Sequence, residues 1–201
     1  LWDEIFVTDA NHKKKYRNIR KISVKGVPFW TDNPEAFAQR NLRQRYCAIF
    51  DIQPSRKYLG WGSINDCGFV DSEASLKFVQ DIVQACHRFG IMCIHKSKRK
   101  NAKYIDLEYE IGLEKIATQY DNYVRVESDI SPYRIIANSD LTISMPFTST
   151  GAIAKSLDIP NFYYDSIGKV SLIDAEKREF ELINSRVNLE KKITELLINQ
   201  I

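Results

Sequence analysis

The sequence predicts an α/β fold, a Rossmann-like, doubly wound parallel sheet. Two observations carry this. From Tyr46 onward, short apolar runs rich in strand formers alternate with longer segments whose apolar residues recur at helical spacing. Gly and Pro stand at the boundaries between them. Such alternation marks βαβ units on a parallel sheet, and right-handed crossovers make the open, doubly wound sheet the first choice.

In chain order, Tyr46–Phe50 is the first strand of the alternating region, followed by a Gly-containing loop through Gly60 and Gly62. An amphipathic helix begins at Asp71-Ser72-Glu73. Its residues Leu76, Phe78, Val79, Ile82, Val83 and Cys86 share one face, and Gly90 stands where a C-terminal cap glycine belongs. Ile91–Ile94 is the second strand. After a basic loop (96–103), Leu107, Ile111, Leu113, Ile116 and Ala117 mark a second helix. Tyr123–Val126 is the third strand. Pro132 opens a short helix over Tyr133–Asn138, at a first-turn position where its missing N–H is not needed. Leu141–Met145 is the fourth strand, Thr148–Leu157 a helix, Asn161–Tyr164 the fifth strand, and Val187–Ile198 a closing amphipathic helix.

Residues 1–40 do not fit this count and read as the end of a preceding domain plus its crossover; residues 41–201 form the Rossmann-like domain. Ile5–Val7 and Ile22–Val24 have strand character, and Lys25–Trp30 reads as a turn leading into Asp32-Asn33-Pro34. An N-terminal hairpin packed on the same sheet is the alternative. The chain begins at Leu1 rather than Met, as a piece of a longer protein would.

Composition narrows the function classes. With 29 Lys+Arg against 26 Asp+Glu, the net charge of +3 gives no electrostatic case for a nucleic-acid binder. The 44% hydrophobic and 27% charged content is that of a globular domain. The longest uncharged stretch, Leu141–Ala154, contains Pro146 and five Ser/Thr residues and is shorter than the ~20 apolar residues that span a bilayer. Cys47, Cys67, Cys86 and Cys93 form no C-x-x-C pair and read as buried free thiols in a reducing compartment. His12, His87 and His95 show no ligand spacing, and no metal site is expected. The basic pair Lys191 and Lys192 lies beside Glu190 and Glu195, as on an ordinary solvated helix face.

Ligands of open parallel sheets bind at the C-terminal strand ends, which selects four loops. Asp51-Ile52-Gln53-Pro54 follows the first strand. Asp51 and Gln53, one residue apart, would project into the crevice as a general base, nucleophile or substrate ligand; an Asx turn explains Asp51 equally well. The aromatic loop after it, 56–69 with Tyr58, Trp61 and Asn65, reads as an acceptor-binding flap or as packed surface. His95-Lys96-Ser97-Lys98-Arg99 places cations at the second strand end, with His95, Lys96 and Lys98 nearest for phosphate or carboxylate. Glu127–Pro132 combines hydroxyls with a helix start, where Ser131 and the backbone N–H groups would hold a base or phosphate of the donor; capping by Ser131 accounts for most of it. Last, Ser144–Gly151 puts Thr148, Ser149, Thr150 and Gly151 on the first turn of a helix, whose unpaired N–H groups favour an anion. A cap needs one hydroxyl, not three, so phosphate is the better reading. There is no Walker A sequence and no G-x-G-x-x-G fingerprint.

Pro146-Phe147-Thr148-Ser149, set within 143–154, resembles the motif of bacterial surface-polysaccharide biosynthesis proteins named for those four residues. Phe50–Pro54 and Leu157-Asp158-Ile159-Pro160 resemble the same group. At greater distance, residues 22–168 are similar to the C-terminal, donor-binding half of GT-B glycosyltransferases, among them capsule Kdo transferases and bacterial sialyltransferases. Val24–Pro28 resembles the Gly-Pro crossover that precedes that half. One departure stands out: related CMP-sugar transferases carry His-Pro at the second strand end, and here it reads His95-Lys96.

The resemblance implies a GT-B C-terminal-type domain and a glycosyltransferase of capsule or O-antigen assembly. It implies a CMP- or UDP-linked nucleotide-sugar donor held by Thr148, Ser149 and Thr150, with no further cofactor. His95, Lys96 and Lys98 would neutralise leaving-group charge, and Asp51 with Gln53 would face a glycan or lipid-linked glycan acceptor. The expected location is the cytoplasm, with peripheral association at the inner membrane compatible with it. A non-catalytic nucleotide-binding or scaffold domain of the same pathway, or a sugar-nucleotide epimerase, are the alternatives.

Overall fold

The computed structural model describes residues 5–7, 22–24, 44–54, 71–98, 105–146, 148–170 and 181–197. The turn at 25–34, the aromatic loop at 56–69, Arg99, Lys100, Lys103, Phe147, His12 and Cys67 lie outside them. Leu1–Asp32 and Asn33–Ile201 are separate compact units.

In the first unit, β1 (Ile5–Val7) and β2 (Ile22–Val24) pair in parallel, Ile5 opposite Ile22 and Val7 opposite Val24. A hairpin would pair them antiparallel on the main sheet. Instead they form a two-stranded sheet of their own, and the hairpin alternative falls.

The second unit holds β3 (Tyr46–Phe50), α1 (Ser72–Arg88), β4 (Met92–Lys96), α2 (Leu107–Gln119), β5 (Tyr123–Val126), α3 (Pro132–Ala137), β6 (Leu141–Ser144), α4 (Thr150–Ser156), β7 (Asn161–Tyr164), β8 (Leu182–Ile183) and α5 (Arg186–Leu197). The strands form one open, all-parallel sheet in the order β5-β4-β3-β6-β7-β8. The chain steps outward from β3 to β5, then returns to the other side of β3 and runs outward again. This is the Rossmann order, and it is what the alternation predicts.

Strand alternation divides the sheet into two faces. Cys47 and Ile49 of β3, Cys93 of β4, Ile143 of β6 and Tyr164 of β7 share one buried cluster with Phe78 and Ile82 of α1, Leu113 of α2 and Leu189 of α5. Each fully buried Phe, Ile or Leu there contributes about 1.5–3 kcal/mol. The opposite face, with Ser144 and Tyr163, meets α4. Cys47, Cys86 and Cys93 are buried free thiols in the first cluster, and burial pushes Cys47 and Cys93 up.

Boundaries follow local chemistry. Gly90 takes φ +64°, the left-handed conformation that a glycine adopts without steric cost. There the Gly90 N–H donates to His87 O and the Ile91 N–H to Cys86 O, closing α1. Most boundaries fall within a residue of the sequence reading, and three larger differences stand out. β4 extends through His95 and Lys96, because both residues pair with β5. α4 starts two residues late, which leaves Thr148 ahead of the helix and Ser149 at its N-cap. β8 has no sequence counterpart: two residues carry no periodicity.

Candidate functional site

Strand order reverses between β3 and β6, and in an open parallel sheet the crevice outside the carboxyl ends at that point is where ligands bind. Phe50 pairs with Ser144 in the ladder, and the Met145 N–H donates to Phe50 O at 2.8 Å. Two segments therefore flank the reversal: Asp51–Pro54 and Met145–Gly151. Both were selected by the sequence.

Asp51–Pro54 is tied down from several elements. Ser75 Oγ of α1 donates to Ile52 O at 2.8 Å, and the Asp106 N–H at the start of α2 donates to Pro54 O at 3.3 Å. The Tyr109 hydroxyl of α2 donates to Asp51 Oδ2. Asp51 Oδ1 lies 3.2 Å from His95 Nε2, and the two side chains are 1% and 0% exposed. The other ring nitrogen, His95 Nδ1, is 2.6 Å from the Tyr123 hydroxyl. Burial, reinforced by the neighbouring Asp51 charge, pushes the Tyr109 hydroxyl well above the usual tyrosine range. Burial also raises Tyr123, which Arg125 partly offsets.

This placement changes how two candidates read. Asp51 and His95 were assigned to separate loops and separate tasks, and the structure makes them partners. Asp51 presents neither oxygen to solvent, and His95 faces inward from within β4 rather than outward to an anion. Asp51 is thus enclosed at the base of the loop that follows β3. Gln53 is buried beside it. Tyr109 and Tyr123 were missed: each fits the apolar pattern of its helix or strand, and nothing in the spacing singles out its hydroxyl.

Lys96 and Lys98 separate as well. Lys96 Nζ donates to Ser97 O at 3.1 Å and to Ser128 O at 3.0 Å, bridging the ends of β4 and β5. Burial lowers its pKa, and the Asp129 charge works against that. Lys98 is exposed. Ser131 takes the N-cap position of α3, yet its side chain makes no capping bond, so capping does not account for it as expected.

In the second segment the three hydroxyls are not equivalent. Thr150 Oγ1 lies 2.7 Å from Ser144 Oγ, joining the end of β6 to the start of α4. Thr148 Oγ1 donates to Met145 O at 2.8 Å and lies 3.1 Å from Thr150 Oγ1. The Tyr163 hydroxyl donates to Thr148 O at 3.0 Å. Thr148 and Thr150 thus brace the turn from inside, while Ser149 is exposed and makes no side-chain cap. Beside Gly151, the space a β-carbon would take is filled by the Tyr163 ring.

Among the described residues no group of three or more His, Cys, Asp or Glu side chains could hold a metal ion, and no helix is long and apolar enough to cross a membrane. Lys192 pairs with Glu181 at 2.8 Å and Glu195 at 3.3 Å.

Residues 2–193 match the family model of polysaccharide biosynthesis PFTS motif proteins. No curated protein matches the chain.

Proposed function

The chain belongs to the family of polysaccharide biosynthesis PFTS motif proteins, and on that premise we propose that it is the donor-binding half of a glycosyltransferase. The donor is a nucleotide sugar, CMP- or UDP-linked, and the acceptor a glycan or lipid-linked glycan of a surface polysaccharide. One observation carries the reading: the motif turn Met145–Gly151 and the anchored Asp51–Pro54 loop flank the reversal between β3 and β6.

In this reading the exposed Ser149 hydroxyl and the backbone N–H groups at the start of α4 meet donor phosphate. Thr148 and Thr150 hold the turn in shape. Lys96 and Lys98, at the end of β4 two strands from the motif turn, neutralise charge on the leaving nucleotide. Asp51 and Gln53 keep the opposite wall in place and orient the acceptor.

The near-complete enclosure of the Asp51 carboxylate favours a second reading, a nucleotide-binding domain of the pathway without transfer activity. It predicts nucleotide affinity without sugar transfer, and no loss of function in Asp51→Asn.

The deciding experiment is a thermal-shift panel on the whole chain with CMP, UDP, GDP, ADP and inorganic phosphate, with and without Mg²⁺. A ligand at 100 times its Kd adds about 2.7 kcal/mol. For a domain of this size that is roughly 5–10 °C, at about 2–4 °C per kcal/mol. A shift with CMP or UDP that is lost in Ser149→Ala supports the donor site. No shift with any nucleotide overturns it.

A further inference from the structure

We infer that Ser144 and Tyr163, a cross-strand pair outside the motif, are positioning residues of the motif turn, and that Ser149 is left as the one of its three hydroxyls with a proton to give. The two residues stand opposite each other in the β6–β7 ladder, and each holds the turn at a different point. The Tyr163 hydroxyl donates to Thr148 O at 3.0 Å, and Ser144 Oγ lies 2.7 Å from Thr150 Oγ1.

A carbonyl fixes the direction of the protons. Thr148 Oγ1 donates to Met145 O at 2.8 Å, and a hydroxyl has one proton to donate. With that of Thr148 spent, the 3.1 Å hydrogen bond between Thr148 and Thr150 is made by the Thr150 proton. The 2.7 Å bond between Thr150 and Ser144 is then made by the Ser144 proton. The chain runs from Ser144 through Thr150 and Thr148 to Met145 O, so it closes the turn back onto the end of β6. Ser144 and Thr150 are buried. Thr148 and Thr150 thus present only lone pairs, which repel an anion, whereas Ser149 is exposed and makes no capping bond.

The inference deepens the proposed site and rests on it only for what Ser149 meets; the proton order and the grip of the pair stand by themselves. Amide hydrogen exchange of the whole chain, resolved by NMR, tests the grip. The Ala152 and Ile153 N–H groups donate to Ser149 O and report on the turn, while the Cys93 N–H, bonded to Asn122 O, reports on the sheet. Ser144→Ala, Thr150→Val and Tyr163→Phe, which keeps its ring, are each expected to speed exchange at Ala152 and Ile153 about fivefold relative to Cys93. That factor corresponds to one lost hydrogen bond of ~1 kcal/mol. Thr150→Ser, which keeps the hydroxyl, restores the slow rate. No acceleration, or equal acceleration at Cys93, overturns the positioning role. Neutron diffraction from deuterated crystals of the unmodified chain reads the proton order: a Thr150 deuterium directed at Thr148 is expected, and one directed at Ser144 overturns it. A nucleotide panel that fails beside these results removes the donor site and leaves the inference standing.

Discussion

The ring of Tyr163 stands where a β-carbon on Gly151 would have to be: such a carbon would lie 2.6 Å from Cζ and closer still to the hydroxyl. The glycine of the motif turn is therefore a packing requirement of β7 against α4. Gly151→Ala gains up to about 1 kcal/mol of helix propensity, yet it forces overpacking that costs about 1–3 kcal/mol. The net expectation is destabilisation of about 1–2 kcal/mol in urea unfolding. Tyr163→Leu should recover part of it, and strictly additive losses would show that the two residues do not compete for space.

Asp165 makes a second prediction at the end of β7. Its buried carboxylate accepts from three backbone N–H groups: Ile167 at 3.0 Å and Gly168 at 2.9 Å on Oδ1, and Val170 at 2.7 Å on Oδ2. Asp165→Ala removes the acceptor of three hydrogen bonds and is expected to cost roughly 3 kcal/mol, at about 1 kcal/mol per hydrogen bond lost. Asp165→Asn keeps one acceptor oxygen but turns an amide N–H₂ toward one of the donors, so it should fall between. Denaturant midpoints of the two variants check the order; an unchanged midpoint for Asp165→Ala sinks it.

The contacts of Asp165 leave no pattern in the sequence, whereas the fold is legible there, and the difference is physical. Periodicity reports which face of an element is buried, so Tyr46–Phe50, Phe78 to Cys86 and Asn161–Tyr164 could be read directly. The crevice was legible too, because strand alternation fixes which loops lie at the carboxyl ends. Side-chain pairing across distant segments leaves no local trace. Asp51 and His95 meet only because β3 and β4 are neighbours in register, and Tyr109 reaches them from a helix. Thr148, Ser149 and Thr150 read alike as ligand hydroxyls because sequence shows how many there are but not where they point.

Burial of tyrosine hydroxyls gives a pH prediction. The Tyr109 and Tyr123 hydroxyls are held above their usual range by burial, with the Asp51 charge adding to the effect. A raised folded-state pKa stabilises fully below the unfolded value, near 10 for tyrosine, and that contribution is lost as pH climbs above it. The unfolded chain then releases protons that the folded chain retains. Each such hydroxyl lowers stability by about 1.4 kcal/mol per pH unit, so the pair lowers it by about 2.7. Urea unfolding between pH 8 and 11 should show stability falling above pH 10, with a shallower fall in Tyr109→Phe. Equal slopes for the variant and the unmodified chain would show that Tyr109 ionises freely.

The start of α2 connects helix capping to the crevice. Asp106 takes an extended conformation and its carboxylate accepts from the Glu108 N–H at 3.0 Å and the Tyr109 N–H at 3.3 Å. The same residue that receives the cap, Tyr109, sends its hydroxyl to Asp51. The Asp106 N–H, meanwhile, donates to Pro54 O. Asp106→Ala is expected to cost about 0.5–2 kcal/mol as a lost N-cap. Tyr109→Phe is expected to cost about 1–3 kcal/mol by leaving a buried carboxylate oxygen short of a donor. If the cap serves to aim Tyr109, the double variant should be less destabilised than the sum by at least 0.5 kcal/mol, the coupling typical of residues in one network. Additive losses in urea unfolding would make the cap and the Asp51 contact independent features of α2.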